Sequence, residues 1–102
     1  MLHAVYFWLK SDLTPAQRQH FETELARLAA LDYLAYGFAG KPAATPERPA
    51  TDHSFSHCLV LRFKSIEDHD FYQSDCPIHR RFVKTCQVLW EKVRVYDSEA
   101  LV

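Results

Sequence analysis

The chain has 102 residues, 48% of them hydrophobic and 14% aromatic with only two glycines, which suits one domain over residues 1–102 and excludes a disordered or low-complexity segment. Twelve basic against thirteen acidic side chains leave a formal charge of −1 with no run of like charge, which argues against nucleic acid as a partner. No apolar stretch reaches the roughly 18 residues of a membrane helix and the first residues do not form a signal sequence, so no membrane partner and a cytoplasmic location are expected.

Hydrophobic period and turn chemistry place the elements in order. Leu2 to Lys10 predicts a strand, with His3, Val5, Phe7 and Leu9 on one face and Ala4, Tyr6, Trp8 and Lys10 on the other. Thr14-Pro15-Ala16-Gln17 supplies a cap, a first-turn proline and the partner of a capping box. A helix from Pro15 to Ala30 follows, burying Phe21, Leu25 and Leu28. Tyr33 to Ala39 predicts a second strand, its aromatics Tyr36 and Phe38 facing away from small residues Ala35, Gly37 and Ala39 that can lie beneath a helix. Pro42, Pro46 and Pro49 make Lys41 to Asp52 a long loop, because repeated proline supports neither ladder nor helix.

A third strand is expected from Ser54 to Phe63, with Phe55, His57, Leu59, Leu61 and Phe63 alternating with Ser56, Cys58, Val60 and Arg62. Ser65 caps a short helix containing Ile66, His69, Phe71 and Tyr72, and Pro77 opens another through Ile78, Phe82, Val83 and Cys86. Lys92 to Asp97 alternates as a last strand with Val93 and Val95 on one face. The order β-α-β-β-α-β is that of an α+β, ferredoxin-like fold, one antiparallel sheet with helices on one side.

Helices cover only one face of such a sheet. The other would expose Tyr6, Trp8, Tyr36, Phe38, Cys58, Val60 and Tyr96, more contiguous apolar surface than a soluble monomer usually shows. A second copy stacked about 10 Å away would bury it, giving a homodimer, a dimeric α/β barrel of two half-barrels. The predicted interface is Tyr6, Trp8, Tyr36, Phe38, Val60 and Tyr96.

Cys58, Cys76 and Cys86 are odd in number and irregularly spaced, so neither a disulfide framework nor a CxxC signature is present. His53 and His57 have the i, i+4 spacing of a helical zinc site, but strand alternation there would hold them about 13 Å apart. No metal site and no cofactor are therefore expected. Cys76 before Pro77 sits where a helix dipole favours thiolate, although Asp75 beside it opposes the shift.

His3-Ala4-Val5-Tyr6-Phe7-Trp8-Leu9-Lys10, Leu61-Arg62-Phe63-Lys64-Ser65, Cys76-Pro77-Ile78-His79 and Trp90-Glu91-Lys92-Val93-Arg94-Val95-Tyr96-Asp97, in this order, resemble the stress-responsive dimeric α/β-barrel (Dabb) domain family over nearly the whole chain. The resemblance implies a small homodimer. It also implies, by similarity to a plant polyketide cyclase of that family, a pocket lined by His3, His57 and His79 with Tyr72 before the turn. Two positions depart from that pattern: Cys76 replaces the first histidine of a His-Pro-x-His turn, and Tyr72 lies one residue further from the turn.

His3 and His79 are thus the candidate acid/base residues, since imidazole near neutral pH can take a proton from carbon beside a carbonyl, and Tyr72 is the candidate donor to the resulting oxygen. Val5, Phe7, His57, Leu59, Phe82 and Trp90 are the expected ligand-binding lining. His20, His53 and His69 are expected in solvent or loops. Three alternatives stay open: a dimer that binds a small hydrophobic ligand without catalysis, a cofactor-free lyase, cyclase or isomerase, and a purely structural dimer.

Overall fold

A computed structural model describes residues 1–102. Strand β1 (Leu2–Leu9) leads to helix α1 (Pro15–Ala29), strands β2 (Leu34–Gly40) and β3 (His57–Phe63), helices α2 (Ile66–Ser74) and α3 (Pro77–Cys86), and strand β4 (Trp90–Ser98). A single 3-10 turn, Gln87–Leu89, joins α3 to β4. The strands form one antiparallel sheet in the order β2-β3-β1-β4, so the ferredoxin-like α+β architecture is present.

Register divides β1 between two environments. His3 lies opposite Leu61 and Asp97, Val5 opposite Leu59 and Val95, and Phe7 opposite His57 and Val93, all on the helix-covered face. Residues Val5, Phe7, Leu59, Leu61 and Phe63 bury there against Phe21, Leu25 and Leu28 of α1, Tyr72 of α2 and Phe82 of α3. Each such side chain contributes about 1.5–3 kcal/mol by leaving water.

Helix α1 starts where its cap predicts. Thr14 Oγ1 accepts from the Gln17 amide at 3.1 Å while Gln17 Oε1 accepts from the Thr14 amide at 2.8 Å, a reciprocal box contributing about 1 kcal/mol. At its other end the helix rests directly on β2. A Cβ placed on Gly37 would lie 2.0 Å from the Ala29 carbonyl oxygen, and Gly37 has no positive φ, so glycine is required there by close approach alone. Buried Glu24 accepts from the Arg81 guanidinium at 2.8 Å and ties α1 to α3.

The third strand begins at His57 rather than at Ser54 as the alternation suggests. Ser56 explains the difference: its amide and hydroxyl both donate to the Phe7 carbonyl, at 2.8 and 2.9 Å, and its Oγ accepts from the Leu9 amide at 3.0 Å. The side chain takes positions that a regular ladder would fill, and the pleat is broken there. Phe55 consequently turns to the outer face, edge-on to Tyr6 at 5.0 Å, instead of joining His57 and Leu59.

Outside the sheet, cross-strand pairing gathers Tyr6, Cys58 and Arg94, then Ala4, Val60, Phe38 and Tyr96. Tyr36, Phe38 and Tyr96 are 55%, 46% and 61% exposed, whereas Tyr6, Trp8 and Val60 are half-buried and Cys58 is buried. The segment after the proline loop shelters part of this face: Trp8 Nε1 donates to Ser54 Oγ at 3.1 Å, and the Lys92 ammonium sits 4.4 Å over the Trp8 ring. A hollow of about 490 Å³ remains between Ala4, Tyr6, Trp8, Asp52, Phe55 and Tyr96. No helix is long and apolar enough to cross a membrane.

Candidate active-site cavity

The helix layer stands off from one side of the sheet. A cavity of about 310 Å³ lies between β1 and β4 below and α2 and α3 above, with Leu59 of β3 also reaching it. One end is aromatic: Phe7 and Phe82 pack on Trp90 with ring centroids 5.3 and 5.8 Å away. Val5, Val83, Val93 and Val95 continue this apolar wall, and Val95 stays half-exposed because no helix covers that stretch of β4.

The other end is polar. His3 is buried among Phe63, Tyr72 and His69, with ring centroids 6.2, 5.7 and 5.2 Å from its own. Its Nδ1 lies 2.5 Å from Oδ1 of its cross-strand partner Asp97, a short charge-assisted contact. With Nδ1–H donating to Asp97, the Nε2 lone pair is the free one, and no protein group bonds it. His79, in the first turn of α3, lies against Tyr72 at 4.3 Å between centroids.

Burial holds the His3 imidazole below its ordinary pKa, against the opposing pull of the Asp97 carboxylate. Burial likewise lowers His79, helped by neighbouring His3 and His69. Both rings are therefore neutral near pH 7. Burial pushes the Tyr72 hydroxyl above the ordinary phenol range, so it stays a proton donor. The cavity thus combines an oriented neutral base, a second imidazole and a phenol at one end of an apolar slot, which is equipment for moving a proton to or from an oxygen-bearing carbon compound.

Of the residues singled out from the sequence, His3, His79, Tyr72, Val5, Phe7, Leu59, Phe82 and Trp90 all line this cavity. His57 does not. Its Nε2 lies 2.7 Å from Glu22 Oε2, and it borders a separate hollow of about 200 Å³ between α1 and β2. Cys76 is buried and lies outside the lining, which removes it as a nucleophile for anything bound there. His53 stays in the loop, 2.8 Å from Thr45 Oγ1.

Three polar residues of the lining, Asp97, His69 and Gln73, were not anticipated. Asp97 follows from carrying the β4 alternation through Val93 and Val95 one step further. His69, expected in solvent, is half-buried on the cavity wall; it lies three residues before Tyr72, a spacing that puts both on one face of α2.

Comparison with known proteins agrees with this architecture. The model of the stress responsive A/B barrel domain matches residues 1–100. No curated protein matches the sequence. Among solved structures, a Dabb family protein with a ferredoxin-like fold from Mesorhizobium loti is 21% identical, with TM-score 0.75 over 99% of this chain and 96% of that one. A dimeric ferredoxin-like protein of unknown function from Thermobifida fusca is 20% identical, with TM-score 0.72 over 93% and 85%. The hydroxynitrile lyase of Passiflora edulis is 24% identical, with TM-score 0.70 over 93% and 87%. Likeness at these identities establishes the fold and nothing finer.

Proposed function

This chain belongs to the stress-responsive A/B barrel domain family, and from that premise we propose that it works as a homodimer whose cavities each bind a small, largely apolar molecule carrying a carbonyl or hydroxyl oxygen, and act on it by proton transfer without a cofactor. Pairing is supported by the exposed Tyr36, Phe38 and Tyr96 and by the dimeric state of the similar Thermobifida fusca protein. The ligand class follows from the lining, an aromatic slot with polar groups at one end only. Its volume of about 310 Å³ is at the small end for ligand sites and suits a single-ring molecule.

The observation that carries the chemistry is the His3–Asp97 pair inside that slot. Nε2 of His3 takes the proton from the carbon beside a carbonyl, or from a hydroxyl, and Asp97 offsets the charge gained by the ring. Tyr72 donates a hydrogen bond to the oxygen on which charge develops, and the proton held on His3 Nε2 then returns to the product, either directly or through the neighbouring His79 imidazole, which takes it from His3 before passing it on. A lyase or isomerase reaction fits these parts, and the similar Passiflora edulis protein is a lyase.

The test uses chelator-treated protein and a panel of aryl ketones and aldehydes. Binding raises the melting temperature, and exchange of the α-proton of a bound ketone with deuterated solvent is followed by NMR. His3→Gln is expected to slow exchange by about 10²-fold or more while leaving sedimentation unchanged. Exchange equal in wild type and variant would end the proton-transfer reading, and a panel without any thermal shift would end the ligand class.

A further inference from the structure

His53 and His57 have the spacing of a helical zinc site, but the fold brings together a different set of metal-ligating side chains. His3 of β1, His69 of α2 and Asp97 of β4 offer one nitrogen or oxygen each, all within 4.8 Å of one another, at the polar end of the cavity. We propose that these three side chains bind a divalent transition-metal ion of the zinc type, one per chain, and that the ion switches off His3 as a base.

The donor set selects the ion. Two imidazoles and one carboxylate suit zinc, cobalt or nickel, whereas calcium and magnesium take oxygen ligands. All three side chains line the cavity, so a fourth ligand would come from there as water or a ligand oxygen. Each donor also has outer support or freedom to adjust. His69 Nδ1 lies 3.2 Å from Asp70 Oδ1, which leaves Nε2 as its ligating atom and orients the ring. Asp97 is partly exposed at the end of the sheet and free to rotate, while His3 is fixed by burial. Donors around a tetrahedral zinc sit about 3.4 Å apart, so side-chain rotation of about an ångström completes the site.

The His3–Asp97 contact defines how the ion enters. At 2.5 Å, with Nδ1–H donating to Asp97, these two atoms are closer than two ligands of one ion would be. The ion takes the place of that proton: Nδ1 becomes a ligand, the proton moves to Nε2 on the cavity side, and Asp97 turns from acceptor to ligand. Nε2, the free lone pair of the proton-transfer site, is then protonated. Metal binding and base catalysis therefore exclude each other, although the ion site itself does not depend on that catalysis being real.

The experiment titrates chelator-stripped full-length protein with zinc chloride by calorimetry, and with cobalt chloride by visible absorption, where tetrahedral nitrogen and oxygen ligation gives intense d–d bands. One ion per chain is expected. His69→Ala and Asp97→Asn should each weaken binding at least about tenfold with circular dichroism and sedimentation unchanged. His53→Ala, which removes an imidazole near Glu47 in the loop, should leave it as it was. Absence of saturable binding overturns the inference, as does binding that survives His69→Ala or is lost in His53→Ala. The exchange assay is run without metal, so its failure leaves the zinc result standing, and the reverse.

Discussion

Replacing Gly37 by alanine tests how the helix layer is seated. The added methyl would lie 2.0 Å from the Ala29 carbonyl oxygen, 2.8 Å from its carbon and 3.1 Å from its Cα, all backbone atoms of the last turn of α1. Ordinary contact starts near 3.4 Å, so α1 must retreat from β2 by roughly an ångström or more, loosening Phe21, Leu25 and Leu28 from the sheet. Overpacking of this kind destabilises by about 1–3 kcal/mol, and the rigid backbone partner places Gly37→Ala at the upper end. For a domain of this size, 2–3 kcal/mol is a fall in Tm of roughly 10–20 °C. Gly40→Ala is the internal control. Its methyl would meet the outer atoms of the Phe38 ring at 2.6 and 2.7 Å, and that ring is partly exposed and can swing aside. The assay is thermal unfolding by circular dichroism at one fixed protein concentration, because the proposed pairing would make Tm concentration-dependent. Equal melting of the two variants would refute the argument from close approach.

Two further predictions concern acid and assembly. The His57 hydrogen bond holds the Glu22 carboxyl below its ordinary pKa of 4.5, so its stabilisation is complete above that value and is lost as pH falls through the lowered one. The urea midpoint of Glu22→Gln should lie below wild type at pH 7, with the gap closing only below about pH 4.5; a gap unchanged into stronger acid would exclude this bond as its source. Phe38→Glu puts a charge into the exposed aromatic face and should turn a wild-type dimer of two 11.9 kDa chains into monomer at micromolar concentration in sedimentation. A monomeric wild type at that dilution would remove the pairing proposal.

The fold was legible because its signals are local and repeated. Period-two alternation in β1, the Thr14–Gln17 box and, at Gly37 and Ala39, the small face of β2 each reappear as structure, whereas a register shift between Leu34 and Tyr36 breaks the β2 alternation and leaves Ala35 exposed. Phe55 was misassigned because Ser56 satisfies β1 with its side chain, and hydrogen bonding by a hydroxyl leaves no mark in hydrophobic period. The site was legible in part. His3, Tyr72 and His79 stand out by residue type, and all three line one cavity. Asp97 and His69 escaped because an aspartate after two valines and a histidine between aspartates look solvated until the strand register and the pairing of helix with sheet are known. His57 shares the strand face of Leu59, yet only the position of α1 decides that Glu22 claims it.

One consequence of the β1 alternation concerns how such a chain can change. Odd positions in this strand hold the His3 imidazole and lining of the cavity, while even positions hold the aromatic outer surface. Point substitutions can therefore alter the cavity and the outer surface separately, even though the two are encoded in adjacent letters. Loss or gain of a single codon inside the segment would do the opposite, reversing the parity and presenting each set of side chains to the wrong environment.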